Sequence, residues 1–142
     1  LMAVQAAEYH GPRLKRHPDD YPPRVRELIE TGLRTPATDF DAAVDVQVRG
    51  TAKLHPQFGP DAAVLTPAAT GPAPPSDTTG SPVFNAPWSV LGLPTVSLPF
   101  AWADALPLGV QLAGTQNREN DLLAAAAWLE RHVGFTPRPL PL

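Results

Sequence analysis

The chain has 142 residues, 43% of them hydrophobic, and a formal net charge of −3. That is long enough for one domain with a core and too apolar for wholesale disorder. There are no cysteines, which excludes disulfides, thiolate nucleophiles and Cys-based zinc sites. The basic residues of Arg13–Arg16 and Arg24–Arg34 are interleaved with Asp19, Asp20, Glu27 and Glu30, the pattern of a solvated helical surface. Nucleic acid and anionic membranes want clustered positive charge instead. No apolar run approaches the ~20 residues of a membrane span. The opening LMAVQAAEYH lacks the basic region and cleavage site of a signal peptide. The expectation is a cytoplasmic protein that meets neither nucleic acid nor membrane.

Taken in order, Val4–Tyr9 reads as the end of a helix that Gly11-Pro12 stops, followed by a charged loop over Arg13–Asp20. Pro22-Pro23 opens a second helix, since proline suits a first turn. Val25, Leu28, Ile29 and Leu33 place one apolar face on it, and Thr35-Pro36 closes it. Thr38 or Asp39 is the expected N-cap of a third helix, from about Phe40 to Leu54. Its apolar positions are Phe40, Ala43, Val44, Val48 and Ala52. His55-Pro56 and Gly59-Pro60 mark its exit, and Ala62–Thr66 reads as a short buried strand.

Nineteen residues are proline, far above the usual ~5%, and many fall in Thr66–Leu108. Pro67–Pro82 has no period and the composition of a flexible linker. Asn85 then caps a short helical turn that Gly92 and Pro94 end. Thr95–Leu98 is a strand with Val96 and Leu98 on one face. Leu108–Ala113 is another, with Leu108, Val110 and Leu112 opposite Gly109 and Gln111. The loop Pro99–Pro107 is too short for a helical crossover, so these strands pair antiparallel if they pair directly. Asn117 is the expected cap of a last helix whose stripe is Leu122, Ala125, Ala126, Leu129 and Val133. Gly134 ends it, before a Pro-rich extended tail.

Chemistry-bearing patterns are few. His10, His17, His55 and His132 have no metalloprotease spacing, and no metal or cofactor site is expected. Ser76, Ser81, Ser89 and Ser97 lie in no Gly-x-Ser-x-Gly elbow. Lys15 and Lys53 lack the apolar flanks that would lower their pKa for catalysis. Gly109 and Gly114 read as close-packing glycines. Trp88 and Trp102 flank the first of the paired strands, either as packing or as the aromatic wall of a small-molecule pocket.

The ordered combination Asp61–Pro67, Ala73-Pro74, Phe84–Pro94, Thr95–Pro99, Leu106–Leu112 and the Leu122–Glu130 helix resembles the C-terminal portion of an amidase signature family enzyme. Ala7–His10, Arg26–Gly32 and Asp39–Ala43 resemble that family's helical region. The resemblance implies an α/β chain with a partial amidase-signature-type fold: a short mixed sheet, flanking helices and long Pro-rich loops. It implies a single C-terminal segment over 1–142, helical over 1–58, strand-loop-strand-helix over 61–134, with a tail over 135–142. Family members cleave carboxylic acid amides with two serines and a lysine that lie in an upstream Gly/Ser-rich signature and a preceding strand. This chain contains no such run, so no catalytic residue is carried over. The resemblance implies that the segment completes the sheet and substrate pocket of a parent enzyme, with Asn85 and Trp88 facing a small-molecule amide and the loop Ala73–Trp88 contributing. An N-terminal catalytic half or a homo-oligomer is the implied partner, and no cofactor is implied. The corresponding chains of tRNA-dependent amidotransferases usually carry an aspartate-containing stretch where this chain has Gly80–Trp88, which favours a general amidase over that branch. A non-catalytic binding module of the same fold, with Pro72–Pro82 as a recognition loop, is the alternative.

Overall fold

A computed structural model describes residues 1–54, 56, 59, 63–103 and 105–138. They form two compact units, Leu1–Arg49 and Gly50–Leu142. The expected exit signals His55 and Pro60, the strand start at Ala62 and the tail beyond Arg138 lie outside the described residues.

In the first unit, α1 covers Met2–Arg16 and runs straight through Gly11-Pro12, where a stop was expected. An interior proline costs a helix about 3 kcal/mol. Continuing past it buries Leu14, which joins Ala7 and the fully buried Ile29 in one core. That tertiary gain outweighs the local penalty, and the expected loop shrinks to a single 3-10 turn over Pro18–Asp20. α2 covers Pro23–Arg34, as the prolines and Thr35-Pro36 implied. Its apolar face is narrower than the spacing suggested: Ile29 and Gly32 are buried, while Val25 and Leu33 are exposed. Arg13 donates to Asp20 at 2.9 Å, a bond that raises the Arg13 pKa above its ordinary value. The pair is exposed and adds little stability.

α3 covers Ala37–Leu54 and so has residues in both units. It starts before the expected caps. The Pro36 carbonyl accepts from Asp39 N and Phe40 N, which leaves Thr38 and Asp39 inside the first turn. Phe40, Ala43 and Val44 are half-buried, but Val48 and Ala52 are exposed. At 100° per residue these two stand roughly 80° and 120° around the helix from Phe40; Gln47, Thr51 and Leu54 continue the shielded side.

The second unit holds a three-stranded sheet in the order β1-β3-β2. β1 is Val64–Pro67, β2 Thr95–Ala103 and β3 Leu106–Ala113. The sheet expected as short and mixed pairs antiparallel at both junctions. β1 was expected to be buried; it is an edge strand with Val64 and Leu65 exposed. β2 and β3 do pair directly and antiparallel, and they run further than expected, absorbing most of the loop Pro99–Pro107. Proline is tolerated in a sheet where no ladder donor is required. Pro99 sits at a register shift on an edge strand, and Pro107 lies beyond the β3 residues that pair with β1.

α4 is the short helix Ala86–Leu91, closed by Gly92 in the left-handed region at φ 66°. α5 covers Glu119–Val133. Its cap position is Arg118, paired with Asp121. Asn117, the expected cap, takes φ 61° instead, a conformation asparagine tolerates, and shapes the turn before the helix. The expected stripe holds: Leu122 and Ala126 are buried against Leu112, with Val96, Leu98, Ala125 and Leu129 packed around them. The tail is tied back at its start. Trp102 stacks on Phe135 with centroids 5.3 Å apart and donates its indole N–H to Thr136 O at 3.1 Å. Trp102 is thereby a packing residue.

Candidate functional site

α5 covers one face of the sheet, and the residues weighed for ligand contact sit beside the other. On β3, Gly109 and Gln111 point away from Leu112 and α5, as strand alternation demands. The segment between β1 and α4 passes over them. Ala68 N donates to Gly109 O at 3.0 Å. A Cβ on Gly109 would lie 3.0 Å from the Ala68 Cβ, so the close approach needs the glycine.

The turn that starts α4 is built on Pro82, whose carbonyl accepts from Asn85 N at 2.9 Å and Ala86 N at 2.7 Å. Asn85 occupies the expected N-cap position, but its side chain makes no cap bond. Its Nδ2 donates to Ala68 O at 3.2 Å, crossing seventeen residues of chain to hold the proline-rich segment. Gln111, on the central strand, reaches the same turn. Its Nε2 donates to Phe84 O at 2.9 Å and lies 3.5 Å from Thr66 Oγ1. Gln111 is 3% exposed, the one polar side chain among the described residues that is buried to this degree. Spacing had placed it on the face opposite the apolar stripe without giving it a role. The signal that could have found it is an uncharged polar residue inside an otherwise apolar central strand.

Trp88 is half-buried within α4. Its indole Nε1 is fully shielded and has no hydrogen-bond acceptor among the described residues. A buried donor left unpaired costs about 1–3 kcal/mol. Asn85 and Trp88 therefore fall on one short element, anchored at Ala68 and at Gln111 to neighbouring points of β3.

The remaining chemistry-bearing residues are not gathered here. Ser76, Ser81, Ser89 and Ser97 are all exposed, as are Lys15 and Lys53. Among the described residues no group of three His, Asp or Glu side chains is arranged to hold a metal. A shallow concavity of the first unit is lined by Tyr9, His10, Arg13, Asp20 and Tyr21. Its polar groups satisfy one another, His10 with the Tyr21 hydroxyl at 3.2 Å and Arg13 with Asp20.

Comparison with known proteins gives the arrangement its context. No family model matches the chain. A crystal structure of an amidase superposes on 94% of it with a TM-score of 0.85 and 32% sequence identity, using 34% of that protein's length. A Mycobacterium tuberculosis protein that carries the amidase name AmiD is 27% identical over 99% of this chain and 32% of its own length. The glutamyl-tRNA(Gln) amidotransferase A subunit of Pseudothermotoga lettingae is 27% identical over 84% of this chain and 23% of its own. The chain is thus similar to amidases and to the A subunits of amidotransferases, as its motifs led one to expect. It spans between 23% and 34% of these proteins' lengths. No helix among the described residues is long and apolar enough to cross a membrane.

Proposed function

We propose that this chain is the C-terminal segment of a cytoplasmic amidase that hydrolyses carboxylic acid amides. In this reading the segment completes the sheet and walls the substrate pocket. The serine–serine–lysine machinery lies in the part of the enzyme that supplies the Gly/Ser-rich signature. The observation that carries the proposal is the superposition on an amidase over 94% of the chain at a TM-score of 0.85. The exposure of all four serines and both lysines fits it, because a catalytic nucleophile or base needs a shielded partner. So does the exposed apolar edge of β1, Val64 and Leu65, since such an edge is stable when another strand covers it. No cofactor or metal enters this chemistry.

The amide faces Asn85 and Trp88, with the loop Ala73–Trp88 beside it. The half-buried Trp88 ring packs against the substrate, and the exposed Asn85 side chain lines the entrance.

Ammonia release from benzamide, a simple aryl amide, tests the reading. The chain alone releases none above buffer. The complete polypeptide does, and adding the complementary N-terminal part to the chain restores release. Hydrolysis by the chain alone would place catalysis within it, and an inactive complete polypeptide would remove the amidase reading. In the active protein, Trp88→Phe, which shrinks the ring that contacts the substrate, raises KM about 3- to 10-fold and changes kcat less. An unchanged KM would remove Trp88 from the site.

A further inference from the structure

The contact between Gln111 and the turn before α4 carries an inference beyond the two ligand-facing residues. We propose that Gln111 is a positioning residue: its buried carboxamide holds the Phe84 carbonyl and so sets where Asn85 and Trp88 stand against the substrate. The inference rests on the reading that this turn faces the ligand.

Three observations support it. Gln111 is 3% exposed, and burying a carboxamide costs free energy unless its bonds are made. The bond to Phe84 O, at 2.9 Å, is therefore held by both partners' need of it. Phe84 immediately precedes Asn85, and the next helical residues carry Trp88, so a displacement of the Phe84 carbonyl moves both side chains together. Finally, Gln111 lies on the central strand, between Thr66 of β1 and Ser97 of β2. That is the best-supported position in the sheet, whereas the turn lies after a long stretch without helix or strand. The second tether, Asn85 Nδ2 to Ala68 O, ends on that same loop segment. Ala68 is itself held by Gly109 O, but this tether acts through the Asn85 side chain, whereas Gln111 holds the Phe84 carbonyl of the backbone directly.

Chemistry separates positioning from bulk. Gln111→Met keeps the length and volume of the side chain and removes the donor. Gln111→Glu is isosteric; its ionised carboxylate only accepts and repels the Phe84 carbonyl, whereas its protonated form regains an O–H donor.

The experiment uses the complete polypeptide of the preceding proposal, labelled with 5-fluorotryptophan, and benzamide as the probe. The fluorine resonance lost in Trp88→Phe identifies Trp88. Gln111→Met is expected to raise KM for benzamide about tenfold, the loss of one buried hydrogen bond. The same variant leaves kcat within about threefold and shifts the Trp88 resonance. Gln111→Glu is expected to weaken benzamide binding at about pH 8 and to recover as the pH falls and the carboxyl takes up its proton. The wild type has no such step. A packing role alone lowers the melting temperature and leaves KM, the resonance and the pH profile unchanged, and that result would overturn the inference. Should Gln111→Met fail to fold, Gln111→Glu on the acid side, with its donor restored, gives the same decision. A raised KM in Trp88→Phe beside a normal KM in Gln111→Met overturns the role of Gln111 alone. Normal KM in both removes the ligand-facing turn, and the inference with it.

Discussion

Replacing Gly32 by alanine is expected to unfold the Leu1–Arg49 unit or destabilise it by more than about 3 kcal/mol. A Cβ at this position would stand 1.9 Å from the Ala3 carbonyl oxygen, 2.4 Å from its carbon and 2.7 Å from the Ala7 Cβ. None of these is the movable end of a long side chain. Two are backbone, so relief requires α1 to lift away from α2. That movement uncovers Ala7, Leu14 and Ile29, which together are the buried core of the unit. Overpacking a well-filled core costs about 1–3 kcal/mol where neighbours can yield, and here they cannot. Alanine's better helix propensity returns at most about 1 kcal/mol. The control is Gly11→Ala on the partner helix, where the new methyl meets Leu33 Cδ2 at 3.4 Å, an ordinary contact. Urea unfolding followed by far-ultraviolet circular dichroism compares the two. A Gly32→Ala midpoint equal to that of Gly11→Ala would show that the helices do not meet there.

Leu122→Ala is expected to cost the second unit about 2–5 kcal/mol, the range for truncating a buried leucine. Leu122 is 5% exposed and packs with Leu112 and Ala126. It also fits against Gly114, where a Cβ would come within 3.2 Å of two of its carbons. Few side chains share this core, so a cavity here has little else to offset it. The neighbouring Leu123 has the same helix propensity but is 56% exposed. Leu123→Ala should stay within about 0.5 kcal/mol, as surface changes do. Equal losses from the two variants, measured by thermal unfolding, would mean that the helix packs by a different face.

These two cases mark how far local pattern carries. The Leu122 stripe follows from a 3.6-residue period, and the structure keeps it from Leu122 to Leu129. Gly32 gives no such signal: it is one helical glycine among ten glycines in the chain, and only the crossing of α1 over α2 makes its missing Cβ necessary. Val25 and Leu33 show the converse, since periodicity gives them a buried face and the structure exposes both.

The same division runs through the candidate site. Local sequence determined the α4 turn between Asn85 and Gly92, the alternation of β2 and β3, their antiparallel pairing, the α5 stripe and the likeness to amidases. All of these depend on residues within a few positions of one another, or on motifs read in order. Tertiary structure decided that α1 passes through Pro12 and that β1 is an edge. It also decided that Asn85 bonds to Ala68 instead of capping its own helix, and that Gln111 reaches Phe84 across 27 residues of chain. Each of these turns on a partner distant in sequence. The free energy of burying an apolar side chain or satisfying a buried amide is then larger than the local preference it overrides.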